Sequence, residues 1–522
     1  MSTAKWSKLL FAMMLALMLA LVACSEGSDT NGDNGNNDEP NSSENDNGND
    51  GNSDENDGDA EAFQNPEPDE DGNFDIDDFE TAAGEGEGID GGELNYALVS
   101  DTPFEGTLNY NFYSGAPDAE IIAWFDESLF DDDENFVYND EGIASYEIDE
   151  DSNTVTVTLE EGVEWSDGEP LTVEDFAFAY KVLAHPDYDG VRYGSVSNVV
   201  GLEPDSDWHT QDTEENEDLQ KIDTDEEIEG LEIVDDQTIK VQFTELTPST
   251  TAGGMWPYAM PQHVFEDIPV AEMSESDAVR KNPVGLGPYV VDNIVAGESV
   301  SLVKNENYWR GEPALDKVTV KVVDPSNLAK ALESGEVDMA EFPADQYPDY
   351  YEMSNVKFLG VVDLAYSYIG FKLGDWDKEE GKVNYKPDEM KMGNKDLRTA
   401  MWYAVDNNAV GEQFYHGLRW AGTTLVDPAH KKFHNDEIEA PTYDPEKAKE
   451  LLDEAGYVDT NDDGFREDPD GEELVINFAS MSGGEVAEPM AKYYIQAWEE
   501  VGLNVELIDG RLLEFNSFYD RV

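Results

Sequence analysis

Residues 282–324 read NPVGLGPYVVDNIVAGESVSLVKNENYWRGEPALDKVTVKVVD, and the reading of this stretch decides the fold. Pro283, Gly285, Gly287 and Pro288 bend the backbone into a tight approach that most other residues could not adopt. Val300 and Leu302 then alternate with polar neighbours, as in a strand entering a sheet. After a turn at Arg310–Pro313, Val318, Val320 and Val322 alternate with Lys317, Thr319 and Lys321, predicting a second strand with one face buried and one face wet.

Working outward, 522 residues leave room for two or three domains and a sizeable core. The formal charge is −90. Residues 25–90 hold 24 acidic side chains and no Lys or Arg, yet the last 432 residues still carry 96 acidic against 28 basic groups. Such a surface repels phosphate backbones, which excludes a nucleic-acid partner. It also suits a protein kept soluble in salt, whatever its ligand.

The N-terminus reads as an address. Lys5 and Lys8 precede the apolar run Leu9–Val22, short for a bilayer span but suited to a signal-peptide core. Leu21-Val22-Ala23-Cys24 then reads as a lipobox, and Cys24 is the only cysteine, so no disulfide and no CxxC metal site is available. A lipid on Cys24 would hold the chain at a membrane surface. Residues 24–90, rich in Asp, Glu, Asn, Gly and Ser, have the composition of a disordered, self-repelling tether.

Further on, WSDGEPLTVEDFAFAYKVL (165–183) combines a tight Asp167-Gly168 turn with a helix start at Thr172 and Asp175, in capping-box spacing. LAKALESGEVDMA (328–340) predicts a helix stopped at Gly335 and a short strand bearing Asp338. Asn394 can cap a helix with Leu397, Met401, Ala404 and Val405 inward, on which Trp402 and Tyr403 look like packing; Asp444-Pro445 opens another, ended by Gly456. DTNDDGFREDPD (459–470) meets a calcium-loop template through Asp459, Asn461 and Asp463, with Asp470 where a bidentate Glu is usual; a hairpin held by Asx turns is the preferred reading. His430 and His434 have the i,i+4 spacing of a metal pair, but Pro428 and nearby turn residues favour an exposed loop. No GxSxG, HExxH, P-loop or cysteine nucleophile occurs, so no enzyme is predicted.

The segments NPxGxGPY, N-x-x-Y-W-x-G, W-x-D-G-x-P-x-T-x-x-D and A-L-x-x-G-x-x-D together resemble the extracytoplasmic solute-binding proteins of family 5, the oligopeptide, dipeptide and nickel class, nearest its Gram-positive oligopeptide-binding branch. Leu286 stands where that family usually has Thr. The resemblance implies an α/β, two-lobed fold of the periplasmic-binding-protein type (class II, cluster C), with an inserted domain and a mixed sheet in each lobe. It implies a signal peptide at 1–23, a first domain at 91–124 and 256–367, an inserted domain at 125–255, and a third at 368–522 that is C-terminally incomplete.

The resemblance further implies a monomeric, membrane-anchored, extracytoplasmic receptor without cofactors, passing oligopeptides to the permease of an ABC transporter. A nickel chelate, haem or a glycan is the alternative cargo; a non-transport surface-binding protein is the other reading. By the same resemblance the ligand candidates are Asn109, Tyr110 and Phe112 after the first strand, and Trp256 and Tyr258 at the return to domain one. In the third domain they are Trp420, Thr423 and Thr424, with Ser480, Met481, Gly483, Gly484 and Glu485 in the loop before the last long helix. Glu485 stands at the distance before Trp498 where relatives place the acid that pairs with a peptide's amino group. Tyr110 and Phe112 fit ordinary core packing equally well.

Overall fold

The computed structural model describes residues 63–82, 90–133, 135–213, 217–222, 227–377, 382–426, 428, 430, 432–519 and 521. Cys24, the signal segment and residues 24–62 and 83–89 of the expected tether lie outside them.

The opening stretch folds as a hairpin, Tyr289–Val295 with Ser299–Lys304, and then a third strand, Lys317–Val323. This third strand pairs antiparallel with Ser299–Lys304 on one side and parallel with Glu93–Val99 on the other, and Met339–Ala340 closes the five-stranded mixed sheet. A central strand has neighbours on both edges, and here the face expected to be wet is largely covered as well. Thr319 is buried, donating to Glu93 Oε1 at 2.8 Å, and Lys317 pairs with the same carboxylate at 3.0 Å.

The glycines explain how this sheet joins the rest. A Cβ on Gly285 would lie 2.2 Å from the Phe125 carbonyl oxygen. Neither glycine has a positive φ, so the requirement is closeness of approach and not backbone conformation. Leu286 donates its N–H to Asp126 Oδ1 (3.1 Å). Asp126 is buried, and loss of solvent lifts its carboxyl from 3.8 to about 7 against the opposing pull of the Leu286 and Glu127 N–H groups. The N-x-x-Y-W-x-G half closes on the same segment. Asn305 Nδ2 donates to the Gly287 carbonyl (3.0 Å), and the Tyr308 hydroxyl and Trp309 indole both donate to Glu127.

Between these parts runs a four-stranded antiparallel sheet, ordered Ala144–Asp149, Thr154–Leu159, Thr238–Gln242, Leu231–Asp235. Helix Val173–Leu183 packs on it with nearly all its residues buried. Its capping box forms as predicted, and Asp175 does more than cap: Oδ1 accepts from Gln262 N–H (2.8 Å) and Oδ2 from the Trp165 indole (3.3 Å), tying the returning chain to the insertion. One continuous apolar core runs from Leu98 through this insertion to Val320.

A second core gathers Leu397, Ala400, Met401, Ala448, Leu452, Ile476, Trp498, Leu503 and Val505. These come from helix Lys395–Tyr403, capped by Asn394, helix Pro445–Glu454, capped by Asp444, helix Ala487–Glu500, and the parallel strands Val475–Phe478 and Asn504–Leu507. An antiparallel hairpin, Gly374–Asp377 with Lys382–Tyr385, is a separate sheet. The two cores define a front and a rear lobe. Trp402, expected to pack, is instead 43% exposed, because it sits on the solvent side of its helix while Tyr403 turns to the core.

The tether expectation also fails over residues 63–80. Residues 63–80 are packed: Phe74 is buried beside Tyr347 and Phe358, and Asn65 Nδ2 lies within 2.9–3.2 Å of the carbonyls of Met353, Val356 and Tyr351. Phe74, Ile76 and Phe79 supply apolar anchors that the preceding acidic run lacks.

Candidate functional site

In the front lobe, the run following strand Glu93–Val99 coils into consecutive turns, with Phe112 and Tyr113 donating N–H to the Asn109 carbonyl at 3.0 Å. Asn109 itself is buried, its Oδ1 accepting from the Asn111 backbone (2.9 Å) and side chain (3.1 Å). Tyr110 stacks on Tyr258 with ring centres 3.9 Å apart, and Trp256 meets Tyr258 edge-on at 5.2 Å. The Trp256 indole donates to Asn111 Oδ1 at 2.9 Å. Burial raises the phenols of Tyr110 and Tyr258, the latter to about 12, so both stay protonated hydrogen-bond donors. Phe112 turns inward against Tyr188 and belongs to the core.

Sequence reading missed three members of this cluster: Asn111, Tyr113 and Arg192. Asn111 and Tyr113 are sequence neighbours of the candidates Asn109, Tyr110 and Phe112, whereas nothing local marks Arg192, whose guanidinium reaches from the insertion to lie 4.4 Å from the Tyr113 ring centre and 5.8 Å from that of Trp256.

In the rear lobe, the chain after helix Asn407–Tyr415 forms an open loop. Trp420 is 47% exposed and Thr423 is exposed, while Thr424 closes a local turn, its hydroxyl donating to the Val426 carbonyl (2.7 Å) and accepting the Val426 N–H (3.1 Å). Leu425, Val426, His430 and Phe433 face Leu364 and Tyr366 across an apolar cavity of ≈ 250 Å³. The His430 ring also packs on Phe136 of the insertion, 4.3 Å between centres, so this loop touches the front lobe. Leu364 and Tyr366 were not singled out in sequence; their alternation in VVDLAYSYIG was the available signal.

The loop at 480–485 is pinned at its start. Ser480 accepts Leu513 N–H at 2.9 Å, Ser482 donates back to the Leu513 carbonyl at 2.7 Å, and Met481 bridges Leu513 in parallel fashion. Gly483 and Gly484 follow with positive φ, and a Cβ on Gly483 would sit 3.3 Å from Asp101 Oδ2, just past the carboxyl end of strand Glu93–Val99. Ligands gather at such strand ends in open α/β sheets. Glu485 is exposed and faces Asp345, whose carboxyl is raised by burial and by the Glu485 charge. Asp101, Asp345 and Glu485 thus bring carboxylates from both lobes to one edge of the junction. The structure does not draw Trp420 or Thr423 into the front-lobe aromatic cluster.

Residues 459–470 form a hairpin. Asp459 accepts the N–H groups of Asp462 and Gly464, Asn461 that of Asp463, and Asp463 that of Phe465, while Asp470 donates its N–H to Asp468. Glu467 fills the loop from inside, holding Thr460 and Asn461. These side-chain oxygens serve the backbone of their own loop, and among the described residues no cluster of His, Cys, Asp or Glu is arranged to hold a metal. His430 and His434 do not converge: one packs on Phe136, and the other has Nδ1 2.8 Å from the Val426 carbonyl.

The family model of bacterial extracellular solute-binding proteins, family 5 (middle region), matches residues 141–516. The chain belongs to that family. The oligopeptide-binding protein OppA of Lactococcus lactis subsp. cremoris is 32% identical over 405 residues, 76% of this family-5 chain and 65% of the relative. The chain therefore spans just under two thirds of that relative's length. The oligopeptide-binding protein AppA of Bacillus subtilis is 27% identical over 369 residues, 70% of this chain and 59% of its own. Among solved structures, lactococcal OppA, closed on an endogenous peptide, superposes with a TM-score of 0.70 at 28% identity, covering 82% of this chain and 79% of that one. Bacillus subtilis AppA, solved with a nonapeptide, superposes at 0.64 and 22% identity, covering 83% and 77%, a likeness of fold. The two-lobed periplasmic-binding architecture and the Gram-positive oligopeptide-binding branch follow.

Proposed function

We propose that this protein captures oligopeptides between its lobes, holds them without altering them, and delivers them to an ABC permease from the outer face of the membrane, anchored through a lipid on Cys24. The observation that carries this reading is the apolar cavity between Leu364, Tyr366 and the 425–433 loop, at a junction edged elsewhere by Asp101, Asp345 and Glu485. An apolar recess suits a peptide side chain, and carboxylates suit its amino terminus. The Tyr110, Trp256 and Tyr258 cluster offers phenol and indole faces on the front wall. Hinge closure over the peptide would stabilise the form that a transporter recognises.

Native mass spectrometry of the full chain, with sequencing of what it carries, tests this. Co-purified peptides, or uptake from a mixed peptide library, are expected. A chain that ignores the library but retains a nickel chelate, haem or glycan would transfer the same fold to another cargo.

A further inference from the structure

Residues 63–80, expected to be part of the tether, occupy a berth that touches both lobes. On the front side, Phe63 donates its N–H to the Ser354 carbonyl (2.9 Å), and Asn65 Oδ1 accepts the Phe358 N–H (3.0 Å). The Tyr347 hydroxyl donates to the Pro66 carbonyl (2.9 Å), and Gly360 N–H reaches the Glu80 carbonyl (2.9 Å). That surface is fixed to the front sheet, because Phe342, Met353 and Val356 pack against the small core of Ala97, Leu328 and Leu332.

On the rear side, Phe74 donates its N–H to the carbonyl of His416 (2.8 Å), the left-handed residue that ends helix Asn407–Tyr415. That helix is joined to the rear core through Tyr493, whose hydroxyl donates to the Asp406 carbonyl (3.2 Å). Gly417 lies so close that a Cβ there would be 2.7 Å from the Phe74 carbonyl oxygen. The Phe74 ring meanwhile stands edge-on to Tyr347 of the front lobe at 4.8 Å. A single residue thus bonds the rear lobe with its backbone and the front lobe with its side chain.

We propose that residues 63–80 are an interlobe clasp: docked in this groove, they hold helix Asn407–Tyr415 against the 347–358 surface, and the lobes move apart only when the Phe74 contacts slide or release. The inference needs the two-lobed fold and no particular ligand, so its test stands if peptide binding fails.

The test uses full-length protein carrying Cys24→Ser, with spin labels at Glu333→Cys on the front lobe and Glu450→Cys on the rear, both exposed positions. Interlobe distance distributions are compared for the otherwise unaltered chain, Phe74→Ala, and Gly417→Ala, which crowds the clasp from the rear lobe without changing it. Both variants should broaden the distribution about twofold and speed exchange of the backbone amide at position 74 about tenfold. A distribution unchanged in both variants overturns the proposal, whether or not that amide exchanges faster.

Discussion

Gly287 donates its N–H to the Phe125 carbonyl at 2.9 Å, and the approach is so close that a Cβ on Gly287 would lie 2.5 Å from the Phe125 carbonyl carbon. Sheet and insertion are therefore joined backbone to backbone, with no side chain able to yield. Gly287→Ala is expected to cost about 3 kcal/mol or more, near the upper end for overpacking. Gly311→Ala, where φ is +104° but nothing lies within 4 Å, should cost only about 1–2 kcal/mol of backbone strain. Urea unfolding of both variants checks the order; equal losses would mean that closeness of approach is not what fixes Gly287.

Asp126, beside this junction, sets a pH dependence. Its carboxyl titrates at about 7 when folded against 3.8 ordinarily, so the folded chain keeps a proton that the unfolded chain gives up. Its contribution is greatest at low pH and is lost as pH rises through about 7. Asp126→Asn, which keeps an oxygen for the Leu286 and Glu127 N–H groups, should gain on the unaltered chain by roughly 3 kcal/mol between pH 5 and pH 8. Parallel denaturation curves at the two pH values would show otherwise if the gap stayed constant.

The Trp256 indole and Asn111 Oδ1 are both buried and 2.9 Å apart. Trp256→Phe leaves that oxygen without its donor and should cost about 1–3 kcal/mol in thermal or urea unfolding. Tyr258→Phe keeps the stack on Tyr110 and should stay within about 0.5 kcal/mol. Reversal of that ranking would show that the hydroxyl, and not the ring, holds the cluster.

Leu425 is 74% exposed yet lines the cavity. Leu425→Asp should therefore leave stability within about 0.5 kcal/mol while weakening capture of apolar peptides by about tenfold or more, since a carboxylate in the recess must be desolvated. Calorimetric titration with a peptide recovered from the native protein measures it, and undiminished affinity would place the side-chain recess elsewhere.

Cys24→Ser should move the protein from the membrane fraction to the medium, because the lipid chains that would hold a soluble body at the surface are then absent. Fractionation of cells with labelled acyl donor gives the readout. Retention of the serine variant at the membrane would assign anchoring to another segment.

Much was legible without coordinates, wherever a local rule fixes a local shape. The Thr172–Asp175 capping box, the Asn394 and Asp444 helix starts, and the stops at Gly335 and Gly456 appear where spacing placed them. So does the Asx-held hairpin at 459–470, since each side chain bonds a backbone N–H a few residues along. The acidity and the family motifs belong to the same legible part.

What the tertiary structure alone decided were pairings between segments distant in sequence. Nothing near Thr319 shows that its strand is central and covered on both faces, and nothing near Arg192 places it over Tyr113 and Trp256. Nor does the acidic run forecast that Phe74 finds a berth made by Tyr347 and His416. The physical reason is one of range: propensities, caps and turns act over a few residues, whereas burial and partner choice are set by which surfaces meet once the chain has closed on itself.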